Sequence, residues 1–279
     1  MSSVTERAKE IKQPRGGFVK PSEFTVIEIS DGIALNEEEN VHGSIIGTVV
    51  DYMMRYEMGA KVEEAFSISQ QGASIAEKLG VKKSETVAKK LLKGIKGLDD
   101  KSITNACKLV TFDVWKRNPM AALMAKNYKD INPDKATIQN IQTLIKRSID
   151  FFKEYGPPTV FGFTFEHPTE DLAKYTEMIE TQKGTFGGYT ATVDSGDGDF
   201  ISGDTLWDFK VSKTKPNSQH TLQLLMYWIM GKHSGQEIYK NIHRLGIFNP
   251  RLNTVYLLET DKISNEVIET VENEVICYE

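Results

Sequence analysis

A chain of 279 residues, 39% hydrophobic and 26% charged, is long enough to bury a core and too balanced for a disordered, collagen-like or membrane class. Its 34 basic and 39 acidic residues leave a net charge of −5, which argues against general coating of nucleic acid while leaving room for a local basic contact. Two cysteines, Cys107 and Cys277, exclude a disulfide framework and a four-cysteine zinc or iron–sulfur site within one chain; with no signal-type opening and no long apolar run, a cytoplasmic protein is expected.

Residues 1–22 carry Arg7, Lys9, Lys12, Arg15 and Lys20 around Pro14, Gly16 and Gly17, with few apolar side chains, which predicts a flexible, mildly basic arm. The remainder, 23–279, reads as a single domain. Phe24 to Ile33 is rich in β-formers and predicts a short strand. From Glu37 the period becomes helical: Ile45, Val49 and Met53 with Ile46, Val50 and Met54 make an apolar face, and Thr48, Asp51 and Arg55 a polar stripe. Shorter helical patterns through Ala73–Leu79, Ser84–Ile95 and Ser102–Trp115, broken at Gly97 and Asn118-Pro119, predict an all-helical insertion over about 60–155. Its last helix opens at Asn132-Pro133, a cap followed by proline at the first helical position, and stops at Gly156-Pro157.

Beyond that helix, Thr159–Phe165, Phe186–Val193, Asp199–Ser202 and Thr205–Val211 predict strands, with Asp197-Gly198 and Gly203-Asp204 as hairpin turns. A helix follows from about Asn217 to Met230, then strands near Ile242–Phe248 and Thr254–Leu258, then an amphipathic helix near Ser264–Val275. The fold class expected is α/β: a mixed central sheet flanked by helices.

A two-residue turn at Gly203-Asp204 pairs Ser202 with Thr205, Ile201 with Leu206, Phe200 with Trp207, and sets Asp199 opposite Asp208. Like charges facing across an antiparallel pair are destabilising, so something must neutralise them. Side chains alternate along a strand, so Lys210 shares a face with Asp208, while Phe200, Trp207, Phe209 and Val211 take the other face and anchor the ribbon. Two convergent carboxylates with a backbone carbonyl are hard ligands that suit Mg²⁺ or Mn²⁺, with positions left for water and a substrate phosphate. An ordinary surface ion pair would also read as acid–x–Lys, and what distinguishes this one is its apolar setting, the second acid and the helix that follows. That helix carries Gln219, Gln223 and Tyr227 as one polar stripe on an otherwise apolar segment.

The segments Gly198-Asp199-Phe200-Ile201, Trp207-Asp208-Phe209-Lys210 and Gln223-Leu224-Leu225-Met226-Tyr227 resemble, in order, the acid, acid–x–Lys and Gln-x-x-x-Tyr motifs of the RecB-like branch of the PD-(D/E)XK nuclease superfamily. Gly47-Thr48-Val49-Val50-Asp51 is similar to that branch's Gly-Thr-x-x-His helix, with Asp51 where a metal-binding His is usual and Arg55 where an acid is common. The resemblance covers about Ser44 to Arg55 and Gly187 to Leu258. It implies a restriction-endonuclease-like sheet and Mg²⁺- or Mn²⁺-dependent hydrolysis of DNA phosphodiester bonds. It also implies a metal held by Asp199, Asp208 and the carbonyl of Phe209, with Lys210 ordering the attacking water. Gln223 and Tyr227 would brace the site and contact the DNA backbone. Asp51 is a further candidate ligand, against its reading as a helix-surface pair with Arg55.

Lys89 and Lys93, on a helical run that also holds Lys82, Lys83, Lys90 and Lys96, are candidate nucleic-acid contacts together with Lys213; the plainer reading is a solvated face. Asp194 rivals Asp199 as first acid, and hairpin register favours Asp199. His42, His167, His220, His233 and His243 lack metal-type spacing, and Glu166 ends a strand that could approach the site. Two other readings stand beside the nuclease: a nucleic-acid-binding or regulatory module that does not cleave, and an assembly subunit whose helical insertion binds a protein partner.

Overall fold

The computed structural model describes residues 2–166 and 185–278. Two compact units emerge, Ser30–Phe151 and the combined segments Met1–Ile29 and Phe152–Glu279, where a single domain from residue 23 is expected. The helical unit begins at Ser30, not near residue 60. Helix Gly43–Glu57 buries Ile46, Val49, Val50, Met53 and Met54 and packs on helix Asp100–Leu109, so it belongs with the helices that follow it.

Within the helical unit the extended stretch after Ser30 is stitched to the long helix Lys135–Tyr155 by side chains. Asp31 receives two hydrogen bonds from Arg147, at 2.6 and 3.0 Å, and the Asn140 carboxamide accepts from the Asn36 backbone at 2.8 Å. The long helix starts at Lys135, because the Asp134 carboxylate accepts the Thr137 N–H at 2.8 Å; the cap is Asp134, two residues beyond the expected Asn132. Ser102–Trp115 is not one helix but Asp100–Leu109, a tighter turn Val110–Phe112 and helix Asp113–Arg117.

The other unit is built on a mixed sheet. Its eight strands among the described residues are β1 (Ser2–Ser3), β2 (Thr25–Glu28), β3 (Val160–Glu166), β4 (Thr185–Phe186), β5 (Val193–Ser202), β6 (Thr205–Phe209), β7 (Arg244–Asn249) and β8 (Thr254–Glu259). The order is β2-β8-β7-β6-β5-β3-β4, and the two-residue β1 pairs in parallel with the start of β5. β6 and β7 are parallel neighbours, a pairing that requires a crossover connection, and helix Ser218–His233 lies in that connection. It is buried on every side from Thr221 through Gly231, and mostly apolar there. Leu222, Leu225 and Met226 share a core with Ile201, Leu206, Leu245 and Ile247 of the sheet and with Val271 and Val275 near the C-terminus. Phe200 and Trp207 stack with centroids 6.1 Å apart and meet Phe152 and Tyr155.

Three expectations change here. The first residues do not form a loose arm: Ser3 and Glu6 form a capping box at helix Val4–Glu10, Val4 and Ala8 are buried, and the Arg7 guanidinium donates to the carbonyls of Val275 and Glu274. Two apolar residues one turn apart suffice to dock so short a helix, and composition alone does not register them. Asp197-Gly198 is not a turn but the middle of β5, opposite Thr164 and Phe163 of β3. Glycine is needed there for space, since a Cβ at Gly198 would lie 1.8 Å from the Phe163 ring. The C-terminal helix is regular only over Asn265–Thr270 and widens into a π turn, Val271–Ile276.

Candidate active site

The turn between β5 and β6 falls at Gly203-Asp204, with Gly203 at φ 57°, and the pairs Ser202 with Thr205, Ile201 with Leu206 and Phe200 with Trp207 form as the sequence implies. The paired ladder stops there, one residue short of the acids. Instead of a further rung, the Asp199 carboxylate accepts the backbone N–H of Phe209 at 2.6 Å, which fixes it beside the strand that carries Asp208.

Asp208 is 2% exposed. One of its oxygens, Oδ1, lies 3.0 Å from the Lys210 ammonium; the other, Oδ2, is buried with no hydrogen-bond partner among the described residues. A bare buried carboxylate oxygen is costly unless a cation or donor meets it. Lys210 follows the end of β6, tied by its own N–H to the Phe248 carbonyl at 2.9 Å. Burial pulls its ammonium towards neutrality, but the Asp208 and Asp199 carboxylates outweigh that pull and hold its pKa above the ordinary lysine value. Lys210 is therefore a fixed cation.

The crossover helix supplies the next layer. Lys210 Nζ donates to Gln223 Oε1 at 3.3 Å, Gln223 Nε2 donates to the Tyr227 hydroxyl at 3.0 Å, and that hydroxyl donates to the Asp197 carbonyl at 2.6 Å. Burial, the main influence, raises the Tyr227 pKa and keeps the phenol protonated. The stripe Gln223 and Tyr227 thus faces the acids, whereas Gln219 lies exposed at the start of the helix, its backbone N–H donating to the capping side chain of Asn217. All five of Asp199, Asp208, Lys210, Gln223 and Tyr227 belong to one cluster.

The other aspartates of the region are engaged elsewhere. Asp194 accepts from Ser195, Asp197 has an exposed side chain, and Asp204 pairs with Arg244 at 2.6 Å. In the helical unit Asp51 is gripped by Arg55 at 2.9 and 3.0 Å, the helix pair that the spacing also allowed. Lys89 pairs with Glu85 at 3.7 Å on an exposed helix face, Lys93 is exposed in the same helix's last turn, and Lys213 is exposed in the loop after Lys210. His167 and the Glu166 side chain lie outside the described residues.

Two participants escape the sequence reading. Thr5, on the N-terminal helix, accepts from Gln223 Nε2 at 3.0 Å, across 218 residues of chain, a separation that no local pattern reveals. His220 lies one turn before Gln223 and helical spacing could have flagged it. Its Nδ1 accepts the Asn217 N–H at 3.3 Å, and burial, reinforced by the Lys210 charge, lowers its pKa.

The donor set is hard oxygen throughout, on rigid strands, and the buried Asp208 Oδ2 is an acceptor that a small divalent cation would satisfy; Mg²⁺ or Mn²⁺ fits this chemistry. Among the described residues no group of three or more His, Cys, Asp or Glu side chains assembles a metal site, so any cation here would complete its shell with backbone, water or substrate oxygens. Among those residues, too, no helix is long and apolar enough to cross a membrane. Compared with known protein families, curated proteins and solved structures, the chain matches none.

Proposed function

We propose that this chain is a divalent-metal-dependent nuclease that hydrolyses DNA phosphodiester bonds at Asp199, Asp208 and Lys210, on a restriction-endonuclease-like sheet of the PD-(D/E)XK type. The observation that carries this reading is the Asp208 carboxylate: one oxygen on a lysine held as a cation, the other buried without a hydrogen-bond partner among the described residues, beside a second acid. Asp199, Asp208 and the Phe209 carbonyl would hold Mg²⁺ or Mn²⁺. When bound, such an ion supplies positive charge at the phosphate and a more acidic water.

The protein's own residues do the rest. Lys210 spends two N–H groups on Asp208 and Gln223 and presents the third to a phosphate oxygen or to the attacking water, stabilising charge as it develops. Tyr227, braced on Asp197, keeps the Gln223 amide from turning. His220, with Nδ1 engaged as an acceptor, carries its neutral-form proton on Nε2 and can donate to the DNA backbone.

One observation favours the non-cleaving alternative, a binding module of the same fold: Asp51 is committed to Arg55, which leaves two side-chain carboxylates in the cluster among the described residues. Incubation of the full chain with linear, circular and single-stranded DNA and with RNA, in Mg²⁺, Mn²⁺ or EDTA, separates the readings. Metal-dependent cutting of DNA is expected, reduced about 10²- to 10³-fold in Asp208→Asn and Lys210→Ala. Cutting that persists in both variants would mean the site is misassigned. DNA binding without cutting in any metal would favour the module.

A further inference from the structure

We infer that Thr5 is a positioning residue for Lys210, acting through the Gln223 amide, so that the first ten residues complete the active site. The inference rests on the nuclease reading for its catalytic consequence, while its geometry stands apart from that reading.

The hydrogen-bond directions are forced. An ammonium can only donate, so Lys210 must face Gln223 Oε1. The Tyr227 hydroxyl spends its one proton on the Asp197 carbonyl, so it accepts from Gln223 Nε2. The second Nε2 proton goes to Thr5 Oγ1 at 3.0 Å. With both amide protons committed, the carbonyl end can point only at Lys210, which holds the ammonium in line with Asp208 and aims its remaining N–H. Without the threonine hydroxyl, one Nε2 proton loses its partner at the part-buried edge of the cluster, and the amide and the lysine are free to drift.

Thr5 is delivered by a docked element. β1 pairs with β5 at Val193 and Ser195, a few residues before Asp199, and Val4 packs so closely that a Cβ at Gly196 would lie 2.7 Å from it. A seven-residue helix has little stability alone, so its order depends on this docking.

The test uses the full chain. Thr5→Val should lower kcat for DNA cleavage about tenfold or more with KM and Tm nearly unchanged, since small misplacements near the chemistry cost up to about a hundredfold. Thr5→Ser, which restores the oxygen, should recover the rate; Thr5→Ala replaces the valine variant if that one melts early. Wild-type kcat in the variant lacking the hydroxyl, or equal losses in serine and valine, overturns the inference. If the wild-type protein cuts nothing, the nuclease reading fails, and NMR of the Gln223 side-chain amide decides the geometry. Protection of both protons in wild type and Thr5→Ser, with one lost in Thr5→Val, supports the inference, and equal protection in all three overturns it.

Discussion

Asp208 concentrates the chemistry of the site in one residue. It is as buried as the leucines around it, yet among the described residues only one of its oxygens is met, by an ammonium that Asp199 also attracts. Removing one partner of a buried ion pair is normally costly, because the survivor stays desolvated. A cation that satisfies Oδ2 should therefore stabilise the fold as it binds. Mg²⁺ added to EDTA-treated protein is expected to raise Tm, by the equivalent of about 2.7 kcal/mol at a hundredfold excess over Kd. In Asp208→Asn the increment should disappear, as read by thermal unfolding with and without metal. An unchanged increment in that variant would place the ion elsewhere.

The β5–β6 ribbon and the crossover helix decide whether such a residue can work. β5 carries Gly196 and Gly198 in its middle because Val4, Tyr227 and Phe163 come too close for any side chain there. Read locally, Asp197-Gly198 looks like a turn; only the approach of β3 and the helices explains it as strand. Gly198→Ala would force the Phe163 ring away and strain the strand next to Asp199. A loss of about 1–3 kcal/mol is expected by urea unfolding, together with weaker cleavage. An alanine variant as stable as wild type would show that β5 has slack at this point. The crossover helix is more legible. Its apolar run and the stripe Gln223 and Tyr227 are plain in the sequence, and connecting parallel strands β6 and β7 obliges it to lie against the sheet.

Across the whole molecule, two compact units take shape where composition suggests one domain with an insertion, and each is held by bonds between distant segments. In the helical unit the Arg147 fork on Asp31 does this. The hydrogen bonds from Arg147, outweighing burial, hold the Asp31 carboxyl below its ordinary 3.8. A depressed acid stabilises the fold fully above its unfolded value and loses that contribution as pH falls through the folded one, so the loss comes below about pH 4. Asp31→Asn should cost about 1–2 kcal/mol at pH 7, discounted because Asp31 is partly exposed, and should flatten the acid limb of stability. Urea unfolding at pH 7 and at pH 3 checks it, and a variant with an unchanged acid limb would assign the limb to other acids. By itself the sequence determined the local elements of the ribbon, its Gly203-Asp204 turn, the acid, acid–x–Lys and Gln-x-x-x-Tyr spacing and the apolar helix faces. Periods of 2 and 3.6 residues and turn chemistry are written in neighbouring side chains. Only the tertiary structure decided that the N-terminal residues dock, that Thr5 meets Gln223 and that β5 runs straight through its glycines. Each of those depends on groups far apart in the chain finding a shared space, which no local pattern encodes.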